Sequence, residues 1–413
     1  MTLNTTRLGF RLMVAASALT LGGTGAAFAQ DAGFEVYGFA MADYIQDFNR
    51  VDPLWESSLR PSKIPTQDGQ FGGDGQAILS VKQTRFGVRS QQDVAGKPLK
   101  VVFEFDLYGT GDDAGQTTMR VRHMYGEWGP VLAGQTNTLF MDGDIFPNTI
   151  EYWGPPGMAF VRTPQIRYTY RMGPHKFAAA IEKPGNDIDP GGIRTLEPIL
   201  GFGFQDDNEA PDFTAQYRYE GGWGHVQLAG ILRSLGYEAV GTADNEPKGT
   251  ETGWGLDLTS NIKVLQKDVL HLGLVYGEGI ATYMNDGGVD MGPNVLPVVT
   301  PPIAGVPPVL SLEAEAAPLT GMLIYYDHYW NDLWSSSIGW SQTRLDNTSF
   351  QTSDAFRSGQ YASANLLYTP DKRIMMGGEL LWGQREDKNG DHGEDFRIQF
   401  SFKYNFSSTD FFK

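Results

Sequence analysis

The sequence predicts an all-β fold, a transmembrane antiparallel β-barrel of about 16 strands, and three observations carry the prediction. Alternation of apolar and polar residues recurs along the whole chain, whereas helical periodicity nowhere persists for three turns. The connections between alternating segments sort by parity into short and long ones, as the two rims of a membrane barrel require and a soluble sandwich does not. The chain also opens on an export leader, and beyond it no uninterrupted apolar run is long enough for a spanning helix.

In the leader, Arg7 and Arg11 precede an apolar run over residues 12–21, and Ala27-Phe28-Ala29 offers small residues for cleavage. Residues 1–29 therefore read as a signal peptide and residues 30–413 as one barrel domain. Ser17, Thr20, Gly22 and Gly23 interrupt the stretch, which falls short of the roughly 20 apolar residues of a membrane anchor. The formal net charge is -17, and losing the leader removes two arginines and no acid. Such acidity excludes nucleic acid as a partner, because phosphate binding needs a dominant basic surface. With no cysteine in the chain there is no disulfide framework, thiolate metal site or thiol nucleophile.

Alternation places strands, in order, at residues 34–48, 77–90, 99–109, 117–128, 131–137, 163–172, 175–183, 212–220, 224–237, 250–264, 269–284, 316–330, 333–345, 358–368, 373–385 and 394–406. All but one or two reach the roughly 9 to 11 residues that a tilted strand needs to cross a bilayer. In the second, Leu79 and Val81 set one outward parity and Phe86 and Val88 the other, which predicts a bulge or a subunit contact and leaves Lys82 ambiguous. The fourth and fifth meet at Gly129-Pro130, the sixth and seventh at Gly173-Pro174, and the twelfth and thirteenth at Asn331-Asp332. Residues 221–223, 265–268 and 370–372 make the other tight joints, and residues 91–98 a longer one; these are turn chemistries with fixed or permissive backbone angles. The opposite joints include the long ones, residues 49–76, 138–162, 184–211 and 285–315, rich in Gly, Pro, Asp and Asn. The last strand, FRIQFSFKYNF, is the most regular: Phe396, Ile398, Phe400, Phe402, Tyr404 and Phe406 share one face, and Arg397, Gln399, Ser401, Lys403 and Asn405 the other.

The apolar faces then touch lipid, and closure of the barrel leaves no strand edge unpaired in hydrocarbon. Tyr37, Phe48, Trp128, Trp223, Trp330, Trp334, Trp382, Tyr404 and Phe406 stand at strand ends, as in interfacial aromatic girdles. Outer-membrane lipid is the first expected partner.

The segments VYGFAMADY, VKQTRFGVRS, MRVRHMYGEWGPVLAGQTNTLFMD, YYDHYWND, NLLYTP and RIQFSFKYNF resemble outer-membrane porins of the DcaP type, proteobacterial trimeric channels linked with uptake of dicarboxylates and similar anions. The resemblance runs over most of the mature chain and implies a homotrimer in the bacterial outer membrane. Two features depart from it. Family members can carry an N-terminal coiled-coil extension, but here only a few residues separate Ala29 from the first strand. Many bacterial barrels end on their last aromatic, but SSTDFFK follows Phe406, leaving Phe411 and Phe412 as a second candidate end.

In a pore the chemistry lies in what points inward. Parity sends Arg85 and Arg89 of the second strand to the lumen, Arg120 and Arg122 of the fourth, Arg167 and Arg171 of the sixth and Arg218 of the eighth, with Arg397 and Lys403 on the last. Residues 138–162 are long enough to fold back inside, as the third loop of general porins does, which would set Asp142, Asp144 and Glu151 against the arginine wall. Opposed charged rows between low-dielectric walls sort solutes by charge, and a planar guanidinium holds a carboxylate through two parallel bonds. The competing reading is that these arginines merely pair with lumen carboxylates, for which Glu104 and Asp106 are available.

Catalytic and metal readings fare worse. Six histidines are scattered without metal-ligand spacing, no Gly-x-Ser-x-Gly elbow accompanies them, and no cofactor is expected. DKNGDHGED places His392 where a calcium loop needs glycine, and reads as an external hairpin turning at Asn389-Gly390. GTGDDAG lacks the spacing and following helix of a nucleotide fingerprint, and reads as a hairpin tip. The expectation is a porin that passes small anionic solutes, dicarboxylates or aromatic acids, by diffusion. The alternative is a barrel acting as an adhesin or receptor through its external loops.

Overall fold

Strict alternation leaves each segment with one face for lipid and one for the interior, and a closed sheet satisfies both. The computed structural model describes residues 33–109, 118–300 and 309–411, and there the sheet closes with 16 strands. They are β1 (Gly33–Asp47), β2 in two pieces (Gln76–Ser80 and Arg85–Val94), β3 (Lys97–Gly109), β4 (Thr118–Trp128), β5 (Val131–Asn137), β6 (Arg162–Met172), β7 (His175–Glu182) and β8 (Asp212–Gly221). There follow β9 (Gly224–Val240), β10 (Lys248–Val264), β11 (Asp268–Glu278), β12 (Pro318–Tyr329), β13 (Trp334–Leu345), β14 (Phe356–Asp371), β15 (Ile374–Asp387) and β16 (His392–Ser407). Neighbours in this series pair antiparallel, and β16 returns to β1 from Asp47↔Arg397 to Tyr37↔Ser407. The expected cleavage site, most of the GTGDDAG tip and Phe412 lie outside the described residues.

On β16, Phe400, Phe402 and Tyr404 are exposed on the outer wall while Arg397, Gln399 and Ser401 are buried inside. Polar side chains removed from water need partners. Asp43 supplies them on the neighbouring strand, accepting from Gln399 Nε2 at 3.2 Å, Ser401 Oγ at 2.6 Å and Gln83 Nε2 at 3.1 Å.

Three local readings need correction. The parity conflict in β2 comes from a turn over residues 81–84: Ile78 and Ser80 face inward before it with Leu79 83% exposed outside, while Arg85 and Arg89 face inward after it with Phe86 outside. The eleventh strand stops at Glu278, and Ala281–Tyr283 is a 3-10 turn. Tyr37 belongs to no girdle; it faces the lumen, donating to Glu104 Oε2 at 3.1 Å beneath the Arg89 guanidinium.

The rim turns are short on one side, where Gly129 and Gly173 each adopt a φ of +57° that glycine reaches without strain. On the other side the third external loop, residues 138–161, runs through the interior. Its Phe140, Met141 and Ala159 join one buried apolar cluster with Ala229, Ile231, Val275 and Leu319, and its Ile145 and Met158 join another with Leu323, Tyr325, Tyr361 and Leu381. Inward carboxylates accept from its backbone N–H groups: Asn148 N donates to Asp327 at 3.2 Å and Leu139 N to Glu182 Oε1 at 3.0 Å. Such bonds satisfy a loop backbone held away from water.

Candidate functional site

The third loop meets β3 and β4 inside the lumen at a cluster of arginines and carboxylates. Arg120 binds Asp106 through Nε (3.1 Å) and Nη2 (2.7 Å), the two-pronged geometry that gives Arg–carboxylate pairs their strength. Arg122 lies between Glu104 Oε1 (2.8 Å) and Asp106 Oδ2 (2.9 Å). Tyr152 from the loop completes the group. Its hydroxyl donates to Asp106 Oδ2 at 2.8 Å, touches Arg120 and lies 3.2 Å from Arg122 Nη1, while its ring stacks on Tyr108 with centroids 3.7 Å apart.

The other predicted arginines divide by partner. Arg89 is paired with Glu35 at 2.6 Å. Arg218 holds Asp142 at 3.0 Å and also pairs with Asp144 and Glu220, so the first two loop acids lie on the barrel wall at β8. Arg167 donates to Gln165 Oε1 at 2.9 Å and to the Asn137 carbonyl. Arg171 is exposed beside the Gly173 turn. Arg85 has no carboxylate partner among the described residues; its guanidinium sits 5.3 Å from the Phe39 ring and its buried Nε lacks an acceptor.

Glu151 does not face the arginine wall. It is 5% exposed and accepts from Leu59 N at 2.9 Å, Gly154 N at 2.6 Å and the Tyr361 hydroxyl at 3.3 Å, so it organises the loop's turn. Burial pushes its pKa up, against those backbone hydrogen bonds. Asp142 goes the other way. Burial would raise it, but the bond and charge of His225, the charge of Arg218 and the Thr259 hydroxyl outweigh that and hold it at about 2.

Sequence reading missed Arg162 and Tyr152. Arg162 shares its parity with outward-facing Ile166 and Tyr168, yet at the first position of β6 it lies within electrostatic reach of Arg120, Arg122, Asp106 and Tyr152. Its Nη1 is buried without an acceptor, and its guanidinium lies 4.7 Å from the Phe160 ring. Lys403 lies 4.7 Å from the Phe39 ring that Arg85 also approaches. Four guanidinium groups, Arg85, Arg120, Arg122 and Arg162, thus surround two carboxylates, Glu104 and Asp106. The arrangement is cationic on balance and offers orphan N–H donors. No His, Cys, Asp and Glu grouping suited to a metal occurs among the described residues.

The sequence pattern of the DcaP outer membrane protein family matches residues 34–287, more than half of the chain. The outer membrane channel DcaP of Acinetobacter baumannii superposes with a TM-score of 0.73 at 21% identity, over 92% of this chain and 100% of that one. An anion-selective porin from Comamonas acidovorans has a TM-score of 0.57 at 9% identity, covering 91% and 100%. The trimer form of OmpT from Vibrio cholerae has a TM-score of 0.51 at 10% identity, covering 91% and 99%. These three structural likenesses concern the fold. No curated protein matches the chain in sequence.

Proposed function

The chain belongs to the DcaP outer membrane protein family, a bacterial outer-membrane channel protein, and from that premise we propose that it passes small anionic solutes, dicarboxylates or aromatic acids, by diffusion. The observation that carries the reading is the unmatched charge at the constriction, where Arg85 and Arg162 have no carboxylate partner among the described residues and keep buried nitrogens without acceptors. An unpaired cation in a low-dielectric wall attracts an anion strongly, and two of them can take the two ends of a diacid. Arg120 and Arg122 have a different part: their charge is largely answered by Asp106 and Glu104, so they shape the constriction more than they bind what passes. The same reading takes the channel to be a homotrimer.

The test is the reversal potential in a planar bilayer under a salt gradient, with a dicarboxylate then replacing chloride on one side. The native channel should select anions and carry the dicarboxylate. Arg85→Gln and Arg162→Gln should each weaken the anion preference more than Arg120→Gln does. Cation selectivity in the native channel, or Arg120→Gln as the most damaging change, would overturn the assignment.

A further inference from the structure

Two external loops, the first and the sixth, meet on one residue of the lumen loop, and the contact is built unlike the rest of that loop's anchorage. In the first loop, residues 48–75, Arg60 lies between two indoles, its Cζ 4.3 Å from the Trp55 ring and 4.1 Å from the Trp153 ring. Trp153 is on the third loop, next to Tyr152. The Arg60 guanidinium also pairs at 2.9 Å with Asp286 of the sixth loop, residues 279–317, and Asp286 accepts from Ser62 N (2.8 Å) and Ser62 Oγ (2.6 Å). Asn285, beside it, accepts from Trp153 Nε1 at 3.0 Å and donates Nδ2 to the Trp153 carbonyl at 2.8 Å and to that of Pro155 at 3.0 Å.

The roots of the third loop are held differently. Phe140, Met141 and Ile145 on one side, and Met158 and Ala159 on the other, are buried in apolar clusters against the barrel wall. Between them Ile150 is buried against Met41 and Leu367, whereas residues 151–155 carry half-buried Tyr152 and Trp153 and are held mainly by polar bonds, ring contacts to Tyr108 and Trp55, and the Arg60 cation, itself paired with Asp286. Polar bonds and a cation–π contact exchange with water at little net cost, whereas withdrawing the apolar roots exposes hydrocarbon. The tip is therefore the part able to leave while the roots stay. What it would take along is Tyr152, the side chain that occupies the arginine constriction.

We propose that Arg60, Trp153 and Asp286 form a latch through which the external loops hold the constriction narrow, so that the channel has a second, wider conductance state reached when the latch opens. The proposal rests on the channel reading above but not on its anion selectivity. With the latch closed, Trp153 is clamped from the first and sixth loops and Tyr152 stays on Asp106. With it open, the tip swings on its buried roots, and Arg120 and Arg122 face a wider passage with their charges unchanged.

The test is single-channel recording of Arg60→Gln, Asp286→Asn and the double variant beside the native protein, with heat-dependent gel migration confirming that each barrel is folded. The expected result is a shift to larger unitary steps or frequent switching between two levels, shared by both single variants and not deepened in the double. The reversal potential should remain native. Trp153→Phe, which keeps a ring for Arg60 but loses the bond to Asn285, should give an intermediate shift. Native unitary conductance without switching in folded Arg60→Gln and Asp286→Asn would overturn the latch. A changed reversal potential with native step size would overturn it as well, because the loops would then act through their charge. A native channel that is not anion-selective would count against the proposed solute class alone.

Discussion

Asp142 and Glu151, nine residues apart on the same loop, are pushed in opposite directions by their surroundings. Glu151 is walled in with neutral donors, so its protonated form is favoured, and its ionisation weakens the loop as pH rises through its raised pKa. Asp142 faces Arg218 and His225, and its folded pKa of about 2 lies below the ordinary carboxylate value of about 3.9. Its stabilising contribution is therefore complete above that ordinary value and is lost as pH falls toward 2. Current noise from loop movement should accordingly stay low in the native channel down to about pH 4 and rise below it. Asp142→Asn should be noisy already at neutral pH. Matching noise-against-pH curves for the two would show that Asp142 does not anchor the loop.

Among the elements, the third loop depends on backbone proximity as much as on charge. Gly157 N donates to Ser341 Oγ at 2.9 Å, and a Cβ at Gly157 would collide with the carbonyl oxygens of Gln342 and Met322 on β13 and β12. Gly157→Val should push the loop's descending limb off the wall, at a cost of about 1 to 3 kcal/mol by analogy with overpacked cores. A lowered unfolding temperature in detergent checks this, and native stability would mean that the limb has room to give. The strands themselves were legible because period two survives wherever one face meets lipid. The exception was β2, where a four-residue turn swaps the faces and only the clash between Leu79 and Phe86 gave warning. Pairing at the site was less legible. Parity says which way Arg120 points but not that Asp106, on the neighbouring strand, already holds it. It also points Arg162 outward, because a long side chain at a strand's first residue is not bound by the pleat. The Arg60 contact joins residues more than two hundred positions apart and has no local signature.

At the scale of the whole molecule, Leu79 is 83% exposed on the outer wall and Leu265 82% exposed in a rim turn. Homotrimeric assembly predicts a high-mass band on a gel that resists detergent until heated and then falls to the monomer. A monomer band without heating would remove the trimer from the proposal. The seam of the barrel has a further consequence, for how such a chain is made. β1 pairs with β2 on one side but finds its other partner only in β16, so the first strand synthesised waits for the last, and no shorter piece can seal itself against hydrocarbon. The chain must therefore stay unfolded throughout delivery, and completion of its C-terminal strand is the event that commits it to the membrane.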